Sequence, residues 1–203
     1  MKILWLSPRW PFPDNTGARK ATMALLSEMN SAASALNISN FDLKIVALYD
    51  GEEELKTASE FERLTGTHGN LYLPKPKLPR NSNALAFLQT RIFHPTMPFT
   101  IQKYTNTLLE EGMRNWLSGK QFDVTVIDGL HGAAFVDLSD SRYGRFIHRA
   151  HNVESDLWRQ LKDQESNPAK KLVWSLEKVL SEKFELSVCR RSEMTFAVSE
   201  MDR

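Results

Sequence analysis

The sequence predicts an α/β domain, an open parallel β-sheet flanked by helices, from three observations. The chain opens on an apolar run, Ile3-Leu4-Trp5-Leu6, followed by a Pro- and Gly-bearing loop and a helical pattern. Strand-like and helix-like segments then alternate in a β-α-β-α-β rhythm, which suits a parallel sheet with helices on its faces. Polar residues gather just after the apolar runs, where a parallel sheet exposes its carboxyl edge.

The opening stretch Lys2 to Arg19, KILWLSPRWPFPDNTGAR, carries the densest signal. A run apolar at consecutive positions suits a strand buried on both faces. Pro8, Pro11 and Pro13 then forbid regular pairing and hold the chain extended. Asp14, Asn15 and Thr16 offer capping side chains for a helix, and Gly17 leaves room for close approach of a ligand to the backbone. The free N–H groups and dipole of such a helix start favour phosphate, and Arg19 adds a fork of donors. An ordinary strand–loop–helix start without a ligand fits the same residues. The loop matches neither G-x-G-x-x-G nor a Walker pattern, so a dinucleotide fingerprint and a P-loop are both unsupported.

Each later element follows by the same reasoning. Ala18 to Leu36 reads as a helix with Ala18, Ala21, Leu25, Met29, Ala32 and Leu36 as its apolar stripe, widened by Thr22, Leu26 and Ala33. Leu43 to Leu48 is the second strand, EEELKTASEFERL a short charged helix, and Gly69 to Leu73 the third strand. Helices are expected over Asn83 to Phe93 and over Ile101 to Leu117, the second with Tyr104, Leu108, Met113 and Trp116 inward. Phe122 to Ile127 and Arg145 to Arg149 are strands; HGAAFVDL begins a helix between them. Asn152 caps the helix that follows the second of these strands, and Asn167-Pro168 starts a long helix with Leu172, Leu176, Val179, Leu180 and Phe184 along one side. Met194 to Val198 is the last strand.

Composition narrows the function classes. A chain of 203 residues with 41% hydrophobic and 25% charged residues builds a real core. A net charge of +1 argues against a dedicated nucleic-acid binder. A single cysteine, Cys189, placed within a helical pattern, excludes an internal disulfide and offers no nucleophile. The opening apolar run is short for a signal peptide and no stretch reaches the length of a membrane span, so a cytoplasmic protein is expected. Residues 75–104 are at once Pro-rich, basic and apolar. They read either as a core-packed helix with a solvated basic rim, or as a face for peripheral contact with the inner side of an anionic membrane or with a lipid-linked acceptor.

The residues that follow the strands are the candidates for chemistry. They are Gly17 and Arg19 after the first, Asp128 and His131 after FDVTVI, His151, Asn152 and Glu154 after RFIHR, and Ser199 and Glu200 after MTFAV. Each histidine also fits a hydrogen-bonded structural role, and Asn152 and Glu154 fit plain helix-start chemistry. No H-x-x-x-H or D-x-D spacing supports a metal site.

Four stretches in series resemble the N-terminal domain of GT-B glycosyltransferases, family 4 in particular: P-x-P-x-x-x-G-x-R at Pro11 to Arg19, FDVTVIDGLHG at Phe122 to Gly132, RAHNVES at Arg149 to Ser155, and KFELSVCRRSEMTFAVSEMD at Lys183 to Asp202. The resemblance implies a Rossmann-like, acceptor-side domain over residues 1–203. A second domain, holding most of the nucleotide-diphosphate sugar, would follow beyond this chain. It implies sugar transfer from that co-substrate to a sugar or lipid-linked acceptor hydroxyl, with retention and without a metal or other cofactor. Carried over, Gly17 and Arg19 lie near the donor diphosphate and His131 near the reacting sugar as the catalytic-site histidine. Asp128, His151, Asn152 and Glu154 line the acceptor cleft, and Glu185 holds a family acidic position. Where the family often has two glycines in the first loop, this sequence has Thr16 and Gly17. Half of a nucleotide-sugar epimerase of the same shape and a non-catalytic binding module are the alternatives.

Overall fold

The computed structural model describes residues 1–49, 51–67, 69–72, 91–102, 104 and 107–197, without the side chains of 107–110. The fold is α/β and Rossmann-like. Among the described residues, six parallel strands form one sheet in the order β3-β2-β1-β4-β5-β6: β1 Lys2–Ser7, β2 Asp42–Ala47, β3 Leu71–Tyr72, β4 Val124–Asp128, β5 Arg145–Ala150 and β6 Ser192–Ala197. Strand order reverses between β1 and β4, which pair in register from Ile3–Val124 to Leu6–Ile127.

Alternation along β1 divides the core. Ile3 and Trp5 pack with Met23 and Leu26 of helix α1 (Gly17–Ala35) and Phe61 of α3 (Ala58–Thr65). Leu4 and Leu6 face the other way, toward Met113 of α5 (Thr107–Trp116), Leu117 and Phe135. Both faces of the central strands are therefore covered, which is why their sequences read as unbroken apolar runs.

Several expectations shift. The charged stretch after β2 forms two helices, α2 (Glu52–Lys56) and α3, which meet at Thr57. The helix expected over Ile101 to Leu117 is likewise two, α4 (Phe99–Gln102) and α5. HGAAFVDL forms a tight 3₁₀ turn, Leu130–Phe135, in place of a regular helix. On α1 the buried side runs through Thr22, Met23, Leu26 and Ala33, whereas Leu25 and Leu36 are exposed. Polar anchors set that rotation: Thr22 reaches the buried Asp128, and Asn30 Nδ2 donates to the Thr65 carbonyl at 2.7 Å.

Helix α6 (Glu154–Gln164) and the long α7 (Pro168–Arg191) lie against each other, with Trp158 and Trp174 stacked at 5.2 Å between centroids. The start of α7 is the expected one: Asn167 accepts from Ala169 N and Lys170 N, and Pro168 opens the helix. Its expected stripe divides: Leu172, Leu176 and Val179 are exposed, whereas Leu180 is buried and Phe184 packs partly buried against the core, and the buried side runs through Glu177, Leu180, Ser181 and Val188. Glu177 is held inward because its Oε2 accepts from Phe99 N at 2.9 Å and its Oε1 lies 3.6 Å from Arg91 Nη2. Cys189 lies within α7, as expected, and is exposed. The helix expected over Asn83 to Phe93, most of residues 75–104, and Ser199 and Glu200 lie largely or wholly outside the described residues.

Candidate functional site

Asp128 ends β4 beside the strand reversal, and its side chain is 2% exposed. A buried carboxylate needs donors on both oxygens. Oδ1 accepts from Arg149 Nη1 at 2.6 Å and from His151 Nε2 at 2.8 Å. Oδ2 accepts from Thr22 Oγ1 at 3.1 Å, and Ser7 Oγ lies 3.4 Å away. Burial alone pushes this carboxyl up; the hydrogen bond from His151 and the charges of His151 and Arg149 outweigh it and hold the group below its ordinary 3.8. Arg149 Nη1 also donates to Thr22 Oγ1 at 2.9 Å. Asp128 therefore ties together the ends of β1, β4 and β5 and the first turns of α1.

Arg149 of β5, outside the candidates that follow the strands, is a buried member of this site. A cation inside a strand pattern is the sequence signal for it, because such a charge, once buried, must find a carboxylate. Gly129 follows the hub at φ +83°, and a Cβ there would come within 2.8 Å of His151 Cδ2. The left-handed residue turns the chain so that the 3₁₀ turn can present His131.

His131 Nδ1 lies 3.9 Å from Glu154 Oε1, and its ring packs against Tyr104 at 5.0 Å between centroids. Asn152 Nδ2 donates to Glu154 Oε1 at 3.1 Å. Asn152 does not cap α6. The N-cap position belongs to Val153, whose side chain makes no cap bond. The carboxylate of Glu185, projecting from α7, takes that role and accepts from Glu154 N and from Ser155 N. Glu154 is pushed above its ordinary 4.5 by burial and then by the neighbouring Glu185 charge.

The first loop forms the opposite wall. Trp10 is buried, stacks on Phe61 at 4.6 Å and donates from Nε1 to Thr57 Oγ1 at 3.0 Å. Thr16 Oγ1 caps α1 by accepting from Arg19 N at 3.3 Å. Gly17 is the first residue of α1, and a Cβ there would meet open space. Arg19 Nη2 pairs with Glu54 Oε1 at 2.8 Å.

These walls enclose a cleft of about 670 Å³ at the carboxyl ends of β1, β4 and β5. Arg19, Asp128, His131, His151, Asn152 and Glu154 all line it; Gly17 sits between two lining residues, Thr16 and Ala18. This is the crevice beside the strand reversal where open parallel sheets bind ligands, and its volume suits a small organic molecule. Among the described residues, no three His, Cys, Asp or Glu side chains are grouped to hold a metal ion.

No protein-family model matches the chain, and no curated protein does. Among solved structures, it is similar to the E. coli heptosyltransferase WaaC with ADP-2-deoxy-2-fluoro heptose, at 12% identity and a TM-score of 0.33, over 90% of this chain and 48% of that one. The chain thus spans about half the length of that enzyme.

Proposed function

We propose that this chain is the acceptor-side domain of a GT-B glycosyltransferase resembling family 4, moving a sugar from a nucleotide-diphosphate donor to an acceptor hydroxyl. The observation that carries the reading is the convergence at the strand reversal: a helix start and loop cations on one wall face His131 and Glu154 on the other. The first wall meets the negative charge that grows on the departing diphosphate with the N–H groups of the helix start and a loop arginine beside them. His131, held between Tyr104 and Glu154, touches the transferred sugar. His151, Asn152 and Glu154 receive the acceptor. Retention and metal independence belong to the same proposal.

Residues 75–104 are proposed to touch an anionic membrane surface beside the acceptor. Ile92 and Phe93, 64% and 73% exposed, support that contact. Among the described residues, no helix is long and apolar enough to cross a membrane.

A thermal-shift screen of nucleotide sugars, followed by a glycosyl-transfer assay with the binder, tests the function. The expected result is stabilisation by one donor class and no transfer by this chain alone. Stabilisation by none of them, or turnover by this chain alone, overturns the reading in its present form.

A further inference from the structure

The cleft holds three arginines in or under its walls, and two are already neutralised. Arg149 is bound to Asp128 beneath the floor at 2.6 Å. Arg19 is bound to Glu54 at 2.8 Å with both side chains more than four-fifths buried, and its Nη1 lies within 3.5 Å of Asn15 Oδ1 and the Pro13 carbonyl. Moving Arg19 to a ligand would break a short ion pair between two largely buried side chains, a costly exchange. Arg9 lines the same cleft and is exposed. Among the described residues, no carboxylate lies within 4.0 Å of its guanidinium, although its charge reaches Glu154 across the cleft.

Arg9 is also held in place where it matters. Ser7 Oγ donates to the Arg9 carbonyl at 2.8 Å while resting against Asp128, and the next residue, Trp10, is buried and bonded to Thr57. The backbone is thus set by the buried hub and only the side chain remains to swing. Fixing the attachment point lowers the ordering cost of gripping a ligand.

We propose that Arg9, rather than Arg19, is the cleft's contact for a diphosphate group; this rests on the donor-binding reading above and assigns the residue that performs it. A guanidinium fork matches phosphate oxygens in pairs, which an ammonium cannot do. Glu54 has the complementary role of keeping Arg19 out of the ligand's reach.

Calorimetric titration of the 203-residue chain with inorganic pyrophosphate, without added metal, tests the assignment. Arg9→Ala is expected to weaken binding about tenfold or more and Arg9→Lys to fall between, since the charge stays and the fork is lost. Arg19→Ala is expected to weaken it by less than about threefold, in keeping with a partnered side chain. Arg145→Ala removes the same charge at the opposite edge of the sheet, where Arg145 pairs with Glu193, and is expected to leave binding unchanged. Unchanged binding by Arg9→Ala with loss in Arg19→Ala overturns the assignment and leaves the diphosphate reading standing. Equal loss in Arg9→Ala and Arg145→Ala also overturns it, because net charge alone would explain both. Absence of binding by the unmodified chain overturns the diphosphate site itself.

Discussion

Asp128 and Arg149 meet at 2.6 Å beneath the cleft, one at the end of β4 and the other on the adjacent β5. Removing one member leaves the other buried and uncompensated. Asp128→Ala is therefore expected to cost about 3–5 kcal/mol of unfolding free energy. Asp128→Ala combined with Arg149→Met is expected to cost clearly less than the two changes summed. Urea unfolding of the four proteins of the cycle measures the coupling.

Acid stability has two origins that act in one direction. Burial first, then the charge of His151, pulls His148 from 6.5 to about 4, so the unfolded chain takes up its proton before the folded one does. That favours unfolding as the pH falls from about 6.5 toward 4, a loss of the order of 3 kcal/mol. Asp128 adds a second loss at lower pH: its contribution is present above the ordinary 3.8 and disappears as the pH drops through its lower folded value. His148→Phe is expected to flatten the upper limb alone, read as unfolding free energy against pH.

Glu154 carries the opposite sign. Its raised proton affinity means that ionisation at neutral pH works against the fold. Glu154→Gln is expected to stabilise the chain, by an amount of the order of 1 kcal/mol, while weakening acceptor binding. Thermal melts at neutral pH check the first half of this prediction.

Glu185 replaces the cap that Val153 cannot supply. Glu185→Ala is expected to cost about 1–2 kcal/mol, the range for a lost helix cap. Val153→Asp in the same background supplies a local cap and is expected to recover most of the loss, measured by denaturant unfolding.

Gly129→Ala puts a side chain at φ +83° and against His151. A cost of about 1–3 kcal/mol is expected, together with displacement of the His151 ring signal in NMR.

Contact with membranes is read from vesicle co-sedimentation. Binding to anionic vesicles that weakens with salt, and weakens further in Ile92→Ser with Phe93→Ser, is the expected outcome.

Local chemistry made much of this architecture legible. The apolar run of β1 and the Asn167-Pro168 helix start depend on neighbours in sequence, and both stand as expected. Helix faces were harder to read. On α1 and α7 the apolar residues spread around the helix, and buried polar partners chose between competing sides: Thr22 and Asn30 on one, Glu177 on the other. The cleft was visible as a set of residues after strands. Arg149 was hidden inside a strand pattern, and the cap on α6 could not be read locally because Glu185 lies 31 residues from the N–H group it accepts from.

The bond between Glu185 and the start of α6 gives the two helices a mechanical relationship. A carboxylate of the long helix grips the first turn of the shorter one, and Glu154 stands on that turn. Displacing α7 along α6 would break that bond and leave the first-turn N–H groups, on the turn that carries Glu154, without their acceptor.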